Sequence, residues 1–280
     1  MIGPTTALVA LLGHPVDHSL SPAMQNAAFR HEGIDARYLA FDVPPGRLGV
    51  ALEGLAALGA LGANVTVPHK EEAFALCDDV EPRARSLGAV NVVLFRDGRL
   101  EGYNSDIDGV EGALDLLPRK GTRALLLGAG GSARAAAVAL LSRGASVLFV
   151  ANRSPERAVR LADDVALSLG RRAIVVVDWR DFHESTFDVV VNATSLGLEG
   201  NAWPGDDLRR LLRSLKGAPL LDLVYSRRGK TELVEGALAE GLLAVGGEEV
   251  LLRQGARAFS LFTGRSAPLE VMRRALEEGR

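Results

Sequence analysis

Short runs of Val, Leu, Ile and Ala alternate along the chain with longer stretches whose apolar residues recur every three or four positions. The runs fit strands buried in a sheet, and the longer period fits amphipathic helices packed on it. In the N-terminal part, residues 7–12, 36–41, 63–67 and 90–95 read as strands, and Asp97-Gly98 reads as a hairpin turn after the last. Residues 22–31 and 48–58 read as helices. The first has Ser21 as a candidate N-cap, Pro22 at its first position and Gly33 just past its end.

A second series begins near Asp108. Strands are predicted at 123–127, 146–151, 173–177, 189–191 and 219–224, with helices at 132–142, 155–169, 207–215 and 231–240. Such alternation calls for right-handed crossovers and a parallel sheet covered on both faces. Residues 248–262 and 268–278 then read as two helices with no strand between them, a terminal pair returning to the first domain. The expected architecture is therefore α/β with two domains. Residues 1–107, completed by 248–280, form the first; residues 108–247 form a doubly wound second.

A length of 280 residues agrees with two domains. The 48% hydrophobic and 24% charged composition excludes disorder and collagen-like repeats. A net charge of −3, without a long basic run, argues against nucleic acid as a partner. The short basic stretches Arg171-Arg172 and Arg227-Arg228 with Lys230 read as solvated surface. A single cysteine, Cys77, excludes an intrachain disulfide framework and suits a reducing cytoplasm. The N-terminus carries no basic leader, and its apolar run at 7–12 is too short for a signal or a membrane span. The expectation is a cytoplasmic protein without a membrane partner.

Candidate chemistry sits where strands meet helices. Gly128-Ala129-Gly130-Gly131-Ser132-Ala133 fits G-x-G-x-x-A directly between a predicted strand and helix. The first glycine makes the turn, the second admits a pyrophosphate to the backbone, and the small third residue lets helix pack on strand. Free N–H groups at the helix start then face the phosphates. After the next strand stands Asn152-Arg153-Ser154, with Arg157 one turn on, where an NAD site places an acid. Arg153 also fits a plain surface charge. Together with the missing acid, a guanidinium there points to the 2′-phosphate of NADP.

In the first domain, Ser19 and Ser21 offer hydroxyls to an anionic group at the head of a helix, although Ser21 also fits a mere cap. Asn64 and Thr66 share one face of a strand, and Lys70 opens the next helix, where Glu71 and Glu72 also allow an ordinary charged start. Asn104-Ser105-Asp106 ends the hairpin, with Asn91 on its partner strand. Lys70 with Asp106 would make an acid–base pair for interconverting a hydroxyl and a ketone.

Taken together, these segments resemble the shikimate dehydrogenase family over essentially the whole chain. The matching stretches are His18-Ser19-Leu20-Ser21-Pro22, Asn64-Val65-Thr66-Val67-Pro68-His69-Lys70, Gly88-Ala89-Val90-Asn91 and Asn104-Ser105-Asp106 with Gly109. They continue through 128–132, 152–154, Asn192-Ala193-Thr194-Ser195-Leu196-Gly197, Asp222-Leu223-Val224-Tyr225 and Gln254. The resemblance implies an NADP(H)-dependent oxidoreductase that reduces 3-dehydroshikimate to shikimate on the route to chorismate and the aromatic amino acids. By it, Lys70 and Asp106 fall at the catalytic pair, and Ser19 and Ser21 at the substrate carboxylate. Asn64, Thr66, Asn91, Tyr225 and Gln254 fall near the substrate. Gly128, Ala129, Gly130, Gly131, Ser132, Asn152, Arg153, Ser154, Arg157, Thr194, Leu223 and Gly247 fall on the cofactor. A monomer or homodimer is expected. Val92, Leu198, Gly246, Glu249 and Val250 depart from the commoner family pattern around the substrate and nicotinamide ends.

Two rival readings remain at this point. One is a relative acting on quinate or an aminated shikimate with NAD, which Arg153 speaks against. The other is a catalytically silent NADP-binding regulator, which would need neither Lys70 nor Asp106. His14, His18 and His69 lack metal-ligand spacing; His18 is expected to fix the serine loop and Cys77 to act as a small buried hydrophobe. Trp179 and Trp203 carry no readable signal.

Overall fold

The computed structural model describes residues 2–118, 122–170, 172–182, 186–198, 200–204, 206–226 and 229–279. Of the basic stretches, Arg171, Arg227 and Arg228 lie outside the described residues, while Arg172 and Lys230 are exposed. The chain divides into two compact units, Met1–Ser105 with Leu252–Arg280, and Asp106–Leu251.

In the first unit, β1 (Ala7–Gly13), β2 (Ala36–Asp42), β3 (Gly62–Val65), β4 (Asp79–Val80), β5 (Val92–Arg96) and β6 (Arg99–Tyr103) form one sheet in the order β2-β1-β3-β5-β6-β4. β1 pairs in parallel with β2 and β3, whereas β5 runs antiparallel to β3 and β6. Connection length decides this. The helices α1 (Ser21–His31) and α2 (Leu48–Ala57) are crossovers that parallel pairing requires. Asp97 and Gly98 instead close a tight hairpin with φ of 49° and 73°, both positive as a type I′ turn demands. The short α3 (Lys70–Leu76) and α4 (Pro82–Leu87) follow β3 and β4. β3 stops at Val65, short of its expected end at Val67, because the Thr66 carbonyl accepts the His69 N–H at 2.9 Å and closes a turn instead of continuing the ladder.

One cap expectation fails. Ser21 is the first residue of α1 and not its N-cap, and Pro22 is accordingly the second. Leu20 stands at the cap position with φ −88° and ψ −7°, so the chain enters the helix already coiled, and the extended geometry of a capping serine never arises. The Ser19 hydroxyl accepts the Ser21 N–H at 3.2 Å instead. Gly33, with φ of 64°, ends the helix as its sequence predicts.

The second unit contains α5 (Asp106–Leu114), β7 (Arg123–Leu127), α6 (Gly131–Ser142), β8 (Val147–Ala151), α7 (Pro155–Leu169), β9 (Ile174–Val177), β10 (Val189–Asn192), α8 (Asp207–Leu215), β11 (Leu220–Asp222), α9 (Glu232–Ala239) and β12 (Ala244–Val245). Its strands run parallel in the order β12-β11-β10-β7-β8-β9. Leu125, Leu126 and Leu127 are consecutive and all fully buried, as in a sheet covered on both faces. Chain order reverses between β7 and β10, which makes a doubly wound sheet with its switch point there.

The chain then returns to the first unit through α10 (Gly247–Thr263) and α11 (Leu269–Glu278). α11 lies against α1, and the rings of Phe29 and Phe259 stand 5.6 Å apart. No helix among the described residues is long and apolar enough to cross a membrane.

Candidate functional site

In the first unit, chain order reverses between β1 and β3, and the loops leaving their carboxyl ends are tied together. The His14 N–H donates to the Val67 carbonyl at 3.0 Å, and the Thr66 N–H to the Leu12 carbonyl at 2.8 Å. Open α/β sheets gather ligands at such an edge. Ser19, Ser21, Asn64, Thr66 and Lys70 all stand on these segments, each half-buried.

Three of the expected substrate residues join in one hydrogen-bonded set. Asn64 Nδ2 donates to the Asn91 carbonyl at 3.0 Å. Asn91 Nδ2 donates in turn to Ser105 Oγ at 3.2 Å and to Gln254 Oε1 at 3.4 Å, while Asn91 Oδ1 accepts the Ser105 N–H at 2.7 Å. Asn91 and Ser105 are buried, so each bond replaces water that cannot enter. One member was missed in the sequence: the buried Tyr38 hydroxyl donates to Asn64 Oδ1 at 2.8 Å. No spacing rule links those residues, because β2 and β3 flank β1 only in the folded sheet.

Lys70 opens α3, and its carbonyl accepts the Val90 N–H at 2.9 Å. Its neighbour His69 is buried, with Nε2 2.7 Å from the Val43 carbonyl. Asp106 is the half-buried first residue of α5 in the second unit, directly after Ser105. His18 is exposed beside Asp17 at 3.1 Å. Cys77 is half-buried against the first core, where burial pushes its thiol up to about 12. Of the departures, Val92 is buried in β5 and Leu198 is exposed. Glu249 is buried and Val250 half-buried, and the Glu248 carboxylate lies directly over Gly246.

In the second unit, loops after β7, β8, β10 and β11 share the carboxyl edge of the sheet. Gly128 has φ of 109°, and a Cβ there would stand 2.7 Å from the Ala193 carbonyl oxygen. Only glycine lets the loops after β7 and β10 approach so closely. A Cβ on Gly130 or Gly131 would meet nothing within 4 Å, so bare backbone faces open space at the head of α6, where Ser132 also stands. This is the cradle a pyrophosphate needs.

After β8, Asn152 Nδ2 braces the turn by donating to the Ser154 carbonyl at 2.9 Å. Arg153 and Arg157 are exposed around the start of α7. A cavity of ≈ 390 Å³ is lined by Asn152, Arg153, Pro155, Asp178, Trp179 and Arg180. Trp179 is therefore not the uninformative residue its isolation in sequence implied. Its indole N–H donates to Asp207 at 3.0 Å, and Arg180 adds a second guanidinium beside Arg153. Both were missed because β9 places them beside the β8 loop only through sheet pairing. Trp203 packs in the second core.

The remaining loops are held by a buried carboxylate. Asp222 accepts from Asn192 Nδ2 at 2.8 Å, Thr231 Oγ1 at 2.5 Å and the Val224 N–H at 3.1 Å. Asn192 Oδ1 accepts both the N–H and the hydroxyl of Thr194, at 3.1 and 2.7 Å. Leu223 donates its N–H to the Asn192 carbonyl at 2.8 Å, and Gly247 to the Val224 carbonyl at 3.2 Å. Thr194, Leu223 and Gly247 are thus on one braced wall, with Tyr225 half-buried beside it.

Burial pushes the Asp222 carboxyl up to about 6, against the pull of its three donors. A folded-state pKa above the unfolded value means the folded protein holds this proton longer as pH rises. The contribution is full below pH 4 and is lost as pH climbs through 6. The stability gap between the wild type and Asp222→Asn is therefore expected to shift against the wild type by about 2–3 kcal/mol over that window. Denaturant melts at stepped pH read this directly, and a constant gap would mean the carboxyl titrates as in the unfolded chain.

Three family models match the chain: a shikimate dehydrogenase substrate binding domain over residues 11–93, shikimate / quinate 5-dehydrogenase over 112–198, and a shikimate 5′-dehydrogenase C-terminal domain over 247–277. A shikimate dehydrogenase (NADP(+)) of Moorella thermoacetica is 47% identical, covering 98% of this chain and 94% of its own. Among solved structures, a shikimate dehydrogenase in complex with NADP+ superposes with a TM-score of 0.90 at 34% identity, covering 99% of this chain and 97% of that one. Shikimate 5-dehydrogenase from Thermus thermophilus, in complex with NADP(H) and shikimate, does so at 0.85 with 38% identity, covering 98% and 100%. By sequence and by fold, along nearly its full length, the chain belongs to the shikimate dehydrogenase family.

Proposed function

We propose that this protein catalyses the reversible, NADPH-dependent reduction of 3-dehydroshikimate to shikimate. The observation that carries the reading is the set Asn64, Asn91 and Gln254. Residues from three distant parts of the chain converge, through hydrogen bonds, on the edge that also bears Ser19, Ser21 and Lys70.

The bound cofactor supplies a hydride for the carbonyl carbon. In this reading, backbone N–H groups of 128–132 hold its pyrophosphate and Arg153, with Arg157, its 2′-phosphate. Asn152 and Ser154 shape that turn, while Thr194, Leu223 and Gly247 wall the nicotinamide end. The ketone oxygen must gain a proton as its carbon is reduced, and Lys70 with Asp106 provides it; the reverse reaction removes it. Ser19 and Ser21 hold the substrate carboxylate. Thr66, Tyr225 and the amides of Asn64, Asn91 and Gln254 bind its hydroxyls or orient the pair. The same reading places the protein in the cytoplasm, as a monomer or homodimer.

The test is the absorbance gain of reduced cofactor when the protein meets shikimate, with NADP⁺ and NAD⁺ in parallel and quinate as second substrate. Turnover with shikimate and NADP⁺ is expected. Turnover only with quinate or NAD⁺ would move the assignment to another branch of the family. Replacing Ser19 and Ser21 together by alanine is expected to raise the KM for shikimate by about 10- to 100-fold, as loss of hydrogen bonds to a charged group implies. A change in melting temperature alone would reduce the two serines to a structural role.

A further inference from the structure

The phenol of Tyr38 is hydrogen-bonded to Asn64, one of the proposed substrate residues. Tyr38 stands on β2, the edge strand of the first sheet, and is fully buried. Its main chain is clamped from α1, since Asn26 Oδ1 accepts the Tyr38 N–H at 2.9 Å and Asn26 Nδ2 donates to the Tyr38 carbonyl at 2.8 Å. One side-chain amide thus satisfies both outward backbone groups of an edge residue, which a neighbouring strand would otherwise do.

The ring is thereby fixed with its hydroxyl donating to Asn64 Oδ1 at 2.8 Å. A phenol has one proton, and here it is committed to Asn64. Asn64 is constrained from both ends. Its Oδ1 is engaged by the phenol and one Nδ2 proton by the Asn91 carbonyl, so its free N–H is what it can offer a ligand hydroxyl.

We propose that Tyr38 is a positioning residue for substrate binding, setting through its buried hydroxyl the donor-outward orientation of the Asn64 amide. The proposal rests on the reading of this edge as the shikimate site. It assigns Tyr38 to ground-state recognition and leaves the proton-transfer step to other groups.

The test is Tyr38→Phe, which keeps the ring and removes only the hydroxyl. The KM for shikimate is expected to rise about ten-fold, with kcat and the KM for NADP⁺ unchanged within about two-fold, as expected for loss of uniform substrate binding. In an Asn64→Ala background the same substitution is expected to raise KM less than about three-fold, because the groups act through one another. An unchanged KM in the single variant overturns the proposal. So does an equal effect in both backgrounds, or a parallel loss of kcat, both KM values and melting temperature, which marks a merely structural tyrosine. A wild-type protein that fails to oxidise shikimate overturns the underlying reading and the proposal with it, and that failure is visible before any variant is made.

Discussion

Lys70→Ala is expected to lower kcat for shikimate oxidation by about 100- to 10,000-fold while leaving NADP⁺ affinity within about two-fold. The size follows from what a general acid–base residue contributes. The selectivity follows from where the lysine sits. Lys70 belongs to the first unit, at the head of α3, while the glycine loop and Arg153 belong to the second. Its backbone is held independently of its side chain, by the Val90 N–H on its carbonyl and by the buried His69 before it. Truncation therefore removes an ammonium group without loosening the loop. Lys70→Arg sharpens the test, because a guanidinium keeps the charge but does not release a proton at working pH. An arginine variant as slow as the alanine variant would assign proton transfer to Lys70. Near-normal turnover in either would remove it from the mechanism.

Arg153→Asp is expected to weaken NADP⁺ binding by about 100- to 1,000-fold and to shift preference towards NAD⁺. With Arg153 on the 2′-phosphate as proposed, the substitution would remove charge-assisted hydrogen bonds to a dianion and add a like charge. It also places a carboxylate where NAD sites carry one for the ribose hydroxyls. Arg180 lines the same cavity, so Arg153→Ala should cost less than Arg153→Asp, and Arg180→Ala should weaken NADP⁺ more than NAD⁺. Titrations of both cofactors against each variant read these shifts. An unchanged ratio of affinities would take the 2′-phosphate away from Arg153.

Several parts of this molecule are legible in its sequence alone. The second sheet reads well because its central strands are buried on both faces, which leaves unbroken apolar runs such as Ala124, Leu125, Leu126 and Leu127 between helical periods. The glycine loop reads well because strand, turn and helix are contiguous, so the whole cradle is a local property of a dozen residues. The hairpin at Asp97-Gly98 was equally local. By contrast, β4 and β12 have two residues each, too few to carry a period. The start of α1 misled because the choice between a cap and a first helical residue depends on the torsions of Leu20.

The sequence by itself determined the α/β class, the alternation of elements, the glycine cradle, the basic turn after β8 and the order of the family's motifs. Each is encoded by residues close in the chain, where propensity and periodicity act. Only the tertiary structure decided which side chains share a partner. Tyr38 reaches Asn64 across 26 residues, and Asn91 reaches Gln254 across 163. Trp179 and Arg180 join Arg153 because β9 pairs with β8. A buried polar group must find its partner within the protein because water cannot reach it, and burial is a property of the packed sheet and helices together.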